Sequence, residues 1–127
     1  MAFRSNVRTH ALRPDAPIAL YVTRGAFHNP PRDEAQIVAI GRVTSSVVEE
    51  PLEVVGQLYK RWCDLEFEAV LPLREGLPFR PLVEELAFVT NKDAWSAYVR
   101  RTLVPLPSED FDLIQRAFLG LVAERRR

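Results

Sequence analysis

The sequence predicts an α+β fold in which a curled sheet comes mainly from the first half of the chain and helices mainly from the second. Runs rich in β-branched residues dominate the first half, whereas apolar residues recur at helical spacing in the second. The five glycines are too scattered to form the phosphate-binding fingerprint of a doubly wound parallel sheet. Because 127 residues is the length of one compact domain, we expect a single domain over residues 1–127.

The first predicted strands precede a polar loop. Residues 1–4 are compatible with a short strand, and residues 6–12 with one or two helical turns before a proline. The apolar, β-branched run 18–23 is typical of a buried strand. Residues 25–33 follow as a loop, because two consecutive prolines exclude both a helix and the interior of a sheet.

A long central strand is predicted over residues 36–48, where apolar residues occur on both faces. Gly41 marks a bulge or bend in this strand, and a curved central strand is what a small barrel requires. Residues 51–59 indicate a weaker strand, and in residues 63–70 apolar and acidic side chains alternate. The side chains expected to face inward are those of Cys63, Leu65, Phe67 and Ala69.

Short helices are predicted in the next part of the chain. Residues 81–86 indicate a short helix with a proline in its first turn. The run Thr90-Asn-Lys-Asp93 resembles a capping box, which would open a helix through Trp95 and Tyr98. Residues 103–106 are interpreted as a last short strand.

A carboxyl-terminal helix is predicted to flank the sheet. Ser108 is suited to cap it, and Glu109 and Asp110 fall in its first turn, where the helix dipole favours carboxylates. Its apolar stripe consists of Phe111, Ile114, Phe118 and Leu121.

Charge is distributed unevenly, although the formal net charge is zero. A neutral total argues against binding of nucleic acid mainly by counterion release. Residues 1–45 hold six basic and three acidic groups (+3), residues 46–89 four and nine (−5), and residues 90–127 seven and five (+2). Fifteen of the seventeen cations are arginine, which favours bidentate contact with phosphate or a base edge. Two explanations stay open: a basic recognition face formed by the two ends of the chain, or the arginine usage of a GC-rich genome.

The cysteine count and the apolar runs favour a cytoplasmic location. Cys63 is the only cysteine, so the chain forms neither an internal disulfide nor a cysteine-rich zinc site. The amino terminus has no apolar core of signal-peptide length, and no apolar run approaches the roughly 20 residues of a membrane span. We therefore expect no membrane partner, no metal and no cofactor.

Several runs of this sequence match the pattern of a known domain family. They are Ser5-Asn6-Val7-Arg8, Leu12-Arg13-Pro14-Asp15, the strand-like runs 18–23 and 37–43, and the carboxyl-terminal runs 98–105 and 107–111. These runs resemble the EVE domain of the PUA-like superfamily, and together they extend over nearly the whole chain. The resemblance implies a small, partly open mixed β-barrel flanked by helices, including a carboxyl-terminal helix. It also implies a domain that accepts a modified base of DNA or RNA, often in bacterial defence, where a nuclease would be its partner.

The chain departs from the family pattern at two places. Members of the family begin with a strand that carries a Tyr-Trp pair, whereas Phe3 is the only aromatic residue that precedes Ser5 here. Where the family shows His-Ser after the tyrosine of its second strand, this chain has Val22-Thr23, so the imidazole would have to come from His28.

The resemblance and the residue types together define a set of candidate ligand-binding residues. Lifting a base out of its stack costs a few kcal/mol. A binding pocket regains this energy by stacking the base on aromatic rings, at about 1 to 3 kcal/mol each, and by hydrogen bonds to the base edge. The candidates are Ser5, Asn6, Arg8, Tyr21, Thr23, Arg24, Phe27, His28, Asn29, Trp62, Trp95, Tyr98 and Arg100. Each has a structural alternative, which is core packing for the aromatic residues, a cap or turn for the polar ones and solvation for the arginines.

Two other functions stay open. The neutral charge and the missing aromatic pair favour a structural or protein-interaction module that keeps the fold without the pocket. The other alternative is an enzyme acting on a small nucleobase-like substrate. A Cys-His nucleophile would pair Cys63 with His10 or His28, yet Cys63 lies on the apolar side of its predicted strand. The acidic pair Glu66 and Glu68 is typical of a solvated strand face, so we predict a binding domain without catalytic residues.

Overall fold

The computed structural model describes residues 1–3, 12–22, 35–49, 52–54, 56–59, 61–72, 74–99 and 103–126. The strands are β1 (Ala2–Phe3), β2 (Pro17–Val22), β3 (Gln36–Val43), β4 (Leu52–Val54), β5 (Gln57–Tyr59), β6 (Arg61–Trp62), β7 (Leu65–Val70) and β8 (Leu77–Pro78). Two 3₁₀ helices cover Arg80–Glu85 and Lys92–Val99, and one α-helix, α1, covers Ser108–Arg125. The predicted α+β class with a carboxyl-terminal helix is confirmed.

Four strands form the central antiparallel sheet. Its order is β2-β3-β7, and β8 pairs with the beginning of β3. Two separate two-stranded sheets are formed by β1 with β6 and by β4 with β5. Among the described strands, β2 lies at one edge of the central sheet and β7 at the other. Within this part of the chain the sheet is therefore open and not closed into a barrel.

β3 is the central strand, and its pairing with β7 is irregular beside the predicted glycine, where Glu68 of β7 has no partner. Its register with β7 shifts between Ile40 and Gly41, and its register with β2 shifts between Leu20 and Tyr21. A Cβ atom on Gly41 would collide with the carbonyl oxygen of Glu66. Glycine is thus required at this position because the backbones of β3 and β7 approach too closely for a side chain.

Two apolar cores lie against the central sheet. The larger core joins the sheet to α1 and the first 3₁₀ helix, and its most deeply buried large side chains are Phe118, Ile40, Leu86, Ile114 and Val89. The smaller core contains Val43 and Cys63, against which Met1, Leu12, Ile18 and Leu65 pack. β3 contributes to both cores, because Ile40 and Val43 point to opposite faces of the strand.

α1 packs against the sheet through the predicted apolar stripe. Phe111, Ile114 and Phe118 are buried, and Val122 completes the stripe while Leu121 is half-buried. Among the described helices, none combines the length and the apolar character that crossing a bilayer demands.

The start of α1 differs from the prediction. Pro107 occupies the capping position, and Ser108 is the first helical residue, with no side-chain hydrogen bond capping the helix. The carbonyl oxygen of Pro107 instead accepts hydrogen bonds from the amides of Asp110 and Phe111, at 3.0 and 3.1 Å. The predicted cap at Ser108 is therefore wrong, because backbone groups satisfy these first-turn donors.

Three predicted strands also need correction. The predicted strand 51–59 is a hairpin of β4 and β5 that turns at Gly56, whose φ of +75° favours glycine. The predicted strand 36–48 ends at Val43, and Val48 forms only an isolated bridge with Trp62. Residues 103–106 form no strand, since the prolines at positions 105 and 107 cannot donate to a ladder.

The predicted helix after the capping-box sequence is a 3₁₀ helix that is interrupted at Ala94. Thr90 does not cap it with its side chain, because the Thr90 hydroxyl lies 2.8 Å from the hydroxyl of Tyr98.

Phe67 does not face the core as the alternation in residues 63–70 predicts. Its side chain is 43% exposed, whereas Cys63 and Ala69 are buried. The register places Phe67 opposite Gly41, which offers no side chain to pack against. The smaller core extends along β7 only as far as Leu65.

Candidate binding site

Aromatic residues of three elements meet at one end of the central sheet. Tyr21 of β2 packs edge-on against Phe79, with 5.0 Å between the ring centroids and 75° between the planes. Trp95 of the second 3₁₀ helix packs against the same Phe79 ring at 5.7 Å and 48°. Phe79 is buried, whereas Tyr21 and Trp95 keep part of their surface exposed. Two predicted site residues are thus brought together by a third aromatic residue.

This aromatic group lies beside the described residues that flank segment 23–34 in sequence. Val22 and Ala35 are the described residues on either side of segment 23–34. Val22 pairs with Gln36 across β2 and β3, and the amide of Phe79 donates to the carbonyl of Ala35 at 3.0 Å. Both flanking residues therefore lie beside the Phe79 cluster.

A shallow cleft of about 370 Å³ opens beside the second 3₁₀ helix. It is lined by Phe88, Ala97, Tyr98, Val104 and Pro105. The rings of Phe88 and Tyr98 stand almost perpendicular, at 84°, with centroids 6.2 Å apart. Four of these five residues carry only apolar side chains, but polar atoms also line the opening, so the cleft is suited to a flat ligand that has polar groups at its edge.

Tyr98, one of the lining residues, has its hydroxyl group held by two hydrogen bonds. The hydroxyl lies 2.8 Å from the Thr90 hydroxyl and accepts a hydrogen bond of 3.0 Å from the amide of Asn91. These hydrogen bonds, from Thr90 first and then Asn91, lower the pKa of Tyr98, and the nearby charge of Lys92 acts in the same direction. In Tyr21, by contrast, burial raises the pKa. The Tyr98 hydroxyl is thus held in a fixed orientation on the segment that precedes its helix.

Two charged residues hold the backbone that carries Phe88. The carboxylate of Asp110 accepts one hydrogen bond from the amide of Ala87 and another from that of Phe88, each at 2.8 Å. Asp110 is only 2% exposed, so these bonds form away from water. The ammonium group of Lys92 donates to two backbone carbonyls of the first 3₁₀ helix and its carboxyl end, at 2.9 and 2.7 Å. The Phe88 wall of the cleft is therefore built on a rigid support.

The structure brings three of the predicted site residues to the larger core and places a fourth elsewhere. Tyr21, Trp95 and Tyr98 all pack against the larger core. Trp62 lies in β6, paired with Ala2 of β1, and does not belong to that core. The remaining candidates lie outside the described residues: Ser5, Asn6, Arg8, Thr23, Arg24, Phe27, His28, Asn29 and Arg100.

Sequence reasoning missed Phe79, Phe88 and Asp110. The two phenylalanines lie in apolar stretches with the spacing of ordinary core residues, and the sequence carries no signal that separates them from such residues. Asp110 matches a first-turn carboxylate that faces solvent, and only its burial reveals the second role. The sequence predicts a strand at Pro105, but a proline cannot donate a hydrogen bond to a strand ladder and therefore indicates a loop.

The described residues show no arrangement of side chains that supports the catalytic alternatives. The Cys63 side chain is fully buried, and burial raises the pKa of its thiol. Glu66 is within 3.4 Å of Arg42, and Glu68 accepts a hydrogen bond from Gln115 at 3.3 Å, so each carboxylate has a structural partner. The part of the chain that the structure describes contains no group of three or more histidine, cysteine or acidic side chains able to hold a metal ion.

Comparison with models of known protein families and with curated protein sequences gave no match for this chain. Fold and site together define an α+β protein with an open antiparallel sheet, a covering carboxyl-terminal helix and an aromatic cleft beside the second 3₁₀ helix.

Proposed function

We propose that this protein is a non-catalytic binding domain of the PUA-like type, which accepts a modified base of DNA or RNA. The observation that carries the proposal is the pair of perpendicular rings, Phe88 and Tyr98, at the wall of a cleft of about 370 Å³. This volume lies at the lower end of the range of about 300 to 1,000 Å³ that is usual for small-molecule sites. A single heterocycle is a suitable occupant.

The chemistry of the lining favours a base over a phosphate group. Stacking of a base on an aromatic ring is worth about 1 to 3 kcal/mol, and the lining supplies two aromatic rings. Because the rings are almost perpendicular, a flat base stacks on one of them and meets the other edge-on. Ala97, Val104 and Pro105 offer apolar surface to an added methyl group. The resemblance to EVE domains supports the same class of ligand.

The proposal extends to residues that come before and after the cleft-lining residues in the sequence. Arg100 comes directly after the second 3₁₀ helix and is proposed to contact the phosphate backbone. Phe27, His28 and Asn29 lie in sequence between Val22 and Ala35 and are proposed, by their residue types, to contact the ligand. We propose that a nuclease acts on the nucleic acid that this domain recognises.

Fluorescence anisotropy with labelled oligonucleotides tests this function. Each oligonucleotide carries one modified base, such as methylated cytosine, and is compared with the unmodified sequence as single strand, duplex and RNA. We expect Tyr98→Leu, which removes the ring, to weaken binding of the preferred oligonucleotide about tenfold or more. Ser96→Ala, an exposed change on the same helix, is the matched control and leaves binding unchanged. Flat titration curves for every base and strand type would reject the proposal.

A further inference from the structure

β7, an edge of the central sheet among the described strands, carries two exposed apolar side chains. In β7, Phe67 is 43% exposed and Val70 is 62% exposed. Their partners on β3 are Gly41 and Ala39, which lie on the same face of that strand, so Phe67 and Val70 share one face although they are three residues apart. The register shift that leaves Glu68 without a partner on β3 produces this spacing. The result is an apolar strip along an edge strand.

Among the described strands, the backbone of β7 has a neighbour on one side only, which is β3. An edge strand directs every second N–H and C=O group away from its single neighbour. Such groups accept an added strand from another chain. α1 lies on the other face of β7, where Gln115 contacts Glu68, so it does not cover the strip of Phe67 and Val70.

Three carboxylates lie in or next to β7. Asp64, Glu66 and Glu68 lie within five consecutive residues and are all exposed. The guanidinium of Arg42 lies 3.4 Å from the Glu66 carboxylate. The same guanidinium lies closer, at 2.6 Å, to Asp15, so the two carboxylates share one cation. Residues 46–89 as a whole hold nine acidic and four basic groups. A partner that matches this edge therefore carries positive charge as well as apolar side chains.

We propose that the β7 edge binds an extended segment of another protein, in which Lys or Arg alternates with apolar residues, as an added strand of the central sheet. The partner's backbone pairs with the free groups of β7. Its apolar side chains cover Phe67 and Val70, and its basic side chains lie on the opposite face near the carboxylates. The site is distinct from the aromatic cleft, and it does not depend on the nucleic-acid function.

Binding of labelled peptides to the full chain tests the proposal. The probe is a peptide of about six residues, a typical strand length, in which lysine and valine alternate. One control peptide has glutamate in place of lysine, and a second carries N-methyl groups on alternate amides, which blocks strand pairing and keeps the charge. We expect the probe to bind at least tenfold more tightly than either control, measured by fluorescence anisotropy.

Two protein variants locate the binding. Val70→Lys removes apolar surface at the edge and adds a like charge, so the affinity for the probe is expected to fall at least tenfold. Ala123→Lys adds the same charge at an exposed position of α1 and is expected to leave the affinity unchanged. Phe67→Lys repeats the test at the second apolar position, and circular dichroism checks that each variant is folded.

Several outcomes would overturn the proposal. They are equal binding of the N-methylated probe, equal affinity of the Val70→Lys and Ala123→Lys variants, and the absence of saturable binding. Self-association that the Val70→Lys change abolishes, seen by analytical ultracentrifugation without probe, would assign the edge to a second copy of this chain and overturn it too.

Discussion

Asp110, at the start of α1, holds the backbone of Phe88 through a buried hydrogen bond of 2.8 Å from the Phe88 amide to the Asp110 carboxylate. A second bond of equal length from Ala87 completes the contact. One carboxylate thus connects the carboxyl-terminal helix to the wall of the proposed binding cleft, although 22 positions separate the two residues in sequence.

Asp110→Ala is expected to lower the free energy of unfolding by about 3 kcal/mol or more, because hydrogen bonds to a charged group contribute about 1.5 to 3 kcal/mol each and two amides lose their acceptor. Urea denaturation followed by circular dichroism measures the change. Asp112→Ala, an exposed carboxylate of the same helix, is the control and should stay within about 0.5 kcal/mol of the parent protein. Equal effects of the two changes would contradict the role of Asp110.

Gly41→Ala is expected to destabilise the protein by about 1 to 3 kcal/mol, the usual cost of forcing extra atoms into a packed site. The added Cβ would collide with the backbone oxygen of Glu66, which cannot move without breaking the pairing of β3 with β7. Thermal unfolding measures the loss. The matched control is Gly120→Ala in α1, where an added Cβ meets nothing within 4 Å, and this change should stabilise the protein by roughly 0.5 to 1 kcal/mol. A neutral result at Gly41 would disprove the close approach.

The tyrosines Tyr21 and Tyr98 are expected to ionise on opposite sides of pH 10, the ordinary pKa of the group. Hydrogen bonds lower the pKa of Tyr98, and burial raises the pKa of Tyr21. In a titration of tyrosinate absorbance, Tyr98→Phe should therefore remove a step below pH 10 and Tyr21→Phe a step above it. Loss of the same step in both variants would refute this assignment.

The two shifts act on stability in opposite senses. For Tyr21, the raised pKa of the folded state gives stability that is fully present below the unfolded pKa and is lost as the pH rises through the folded value. For Tyr98, the lowered pKa gives stability that is present above the unfolded pKa and is lost as the pH falls through the folded value. Tyr21→Phe should thus reduce the alkaline loss of stability, which denaturant unfolding at several pH values measures.

Cys63 is expected to react slowly with an aromatic disulfide reagent in the native protein and rapidly in denaturant. Its side chain is fully buried, and burial raises the pKa of the thiol, so access and thiolate content are both low. The absorbance of the released thiolate follows the reaction. A Cys63→Ala protein with Ser46→Cys, an exposed position, is the control that should react at once. Rapid labelling of native Cys63 would contradict its burial.

The parts of the fold that sequence predicted are those whose pattern is local. The stripe of Phe111, Ile114 and Phe118 repeats at helical spacing, and the structure confirms α1 with that stripe buried. The close approach at Gly41 was predictable because a glycine inside an apolar strand marks a bulge or a close approach, although the bulged residue beside it is Glu68 of β7.

The cleft was not predictable, because it depends on contacts between segments that are remote in sequence. Phe88 and Val104 line the same cleft, but periodicity contains no information about how their segments are placed relative to each other. Phe67 illustrates the same limit within a strand: its alternation predicts an inward side chain, whereas the register opposite Gly41 leaves it exposed. Local patterns define elements, and tertiary pairing decides which faces are covered.

The position of β3 between the two cores has a consequence for how the molecule comes apart. Ile40 belongs to the larger core and Val43 to the smaller one, so loss of β3 exposes apolar surface in both at the same moment. We therefore expect the two cores to unfold together when β3 leaves the sheet, with the amides of β3 the last to exchange their hydrogens with solvent.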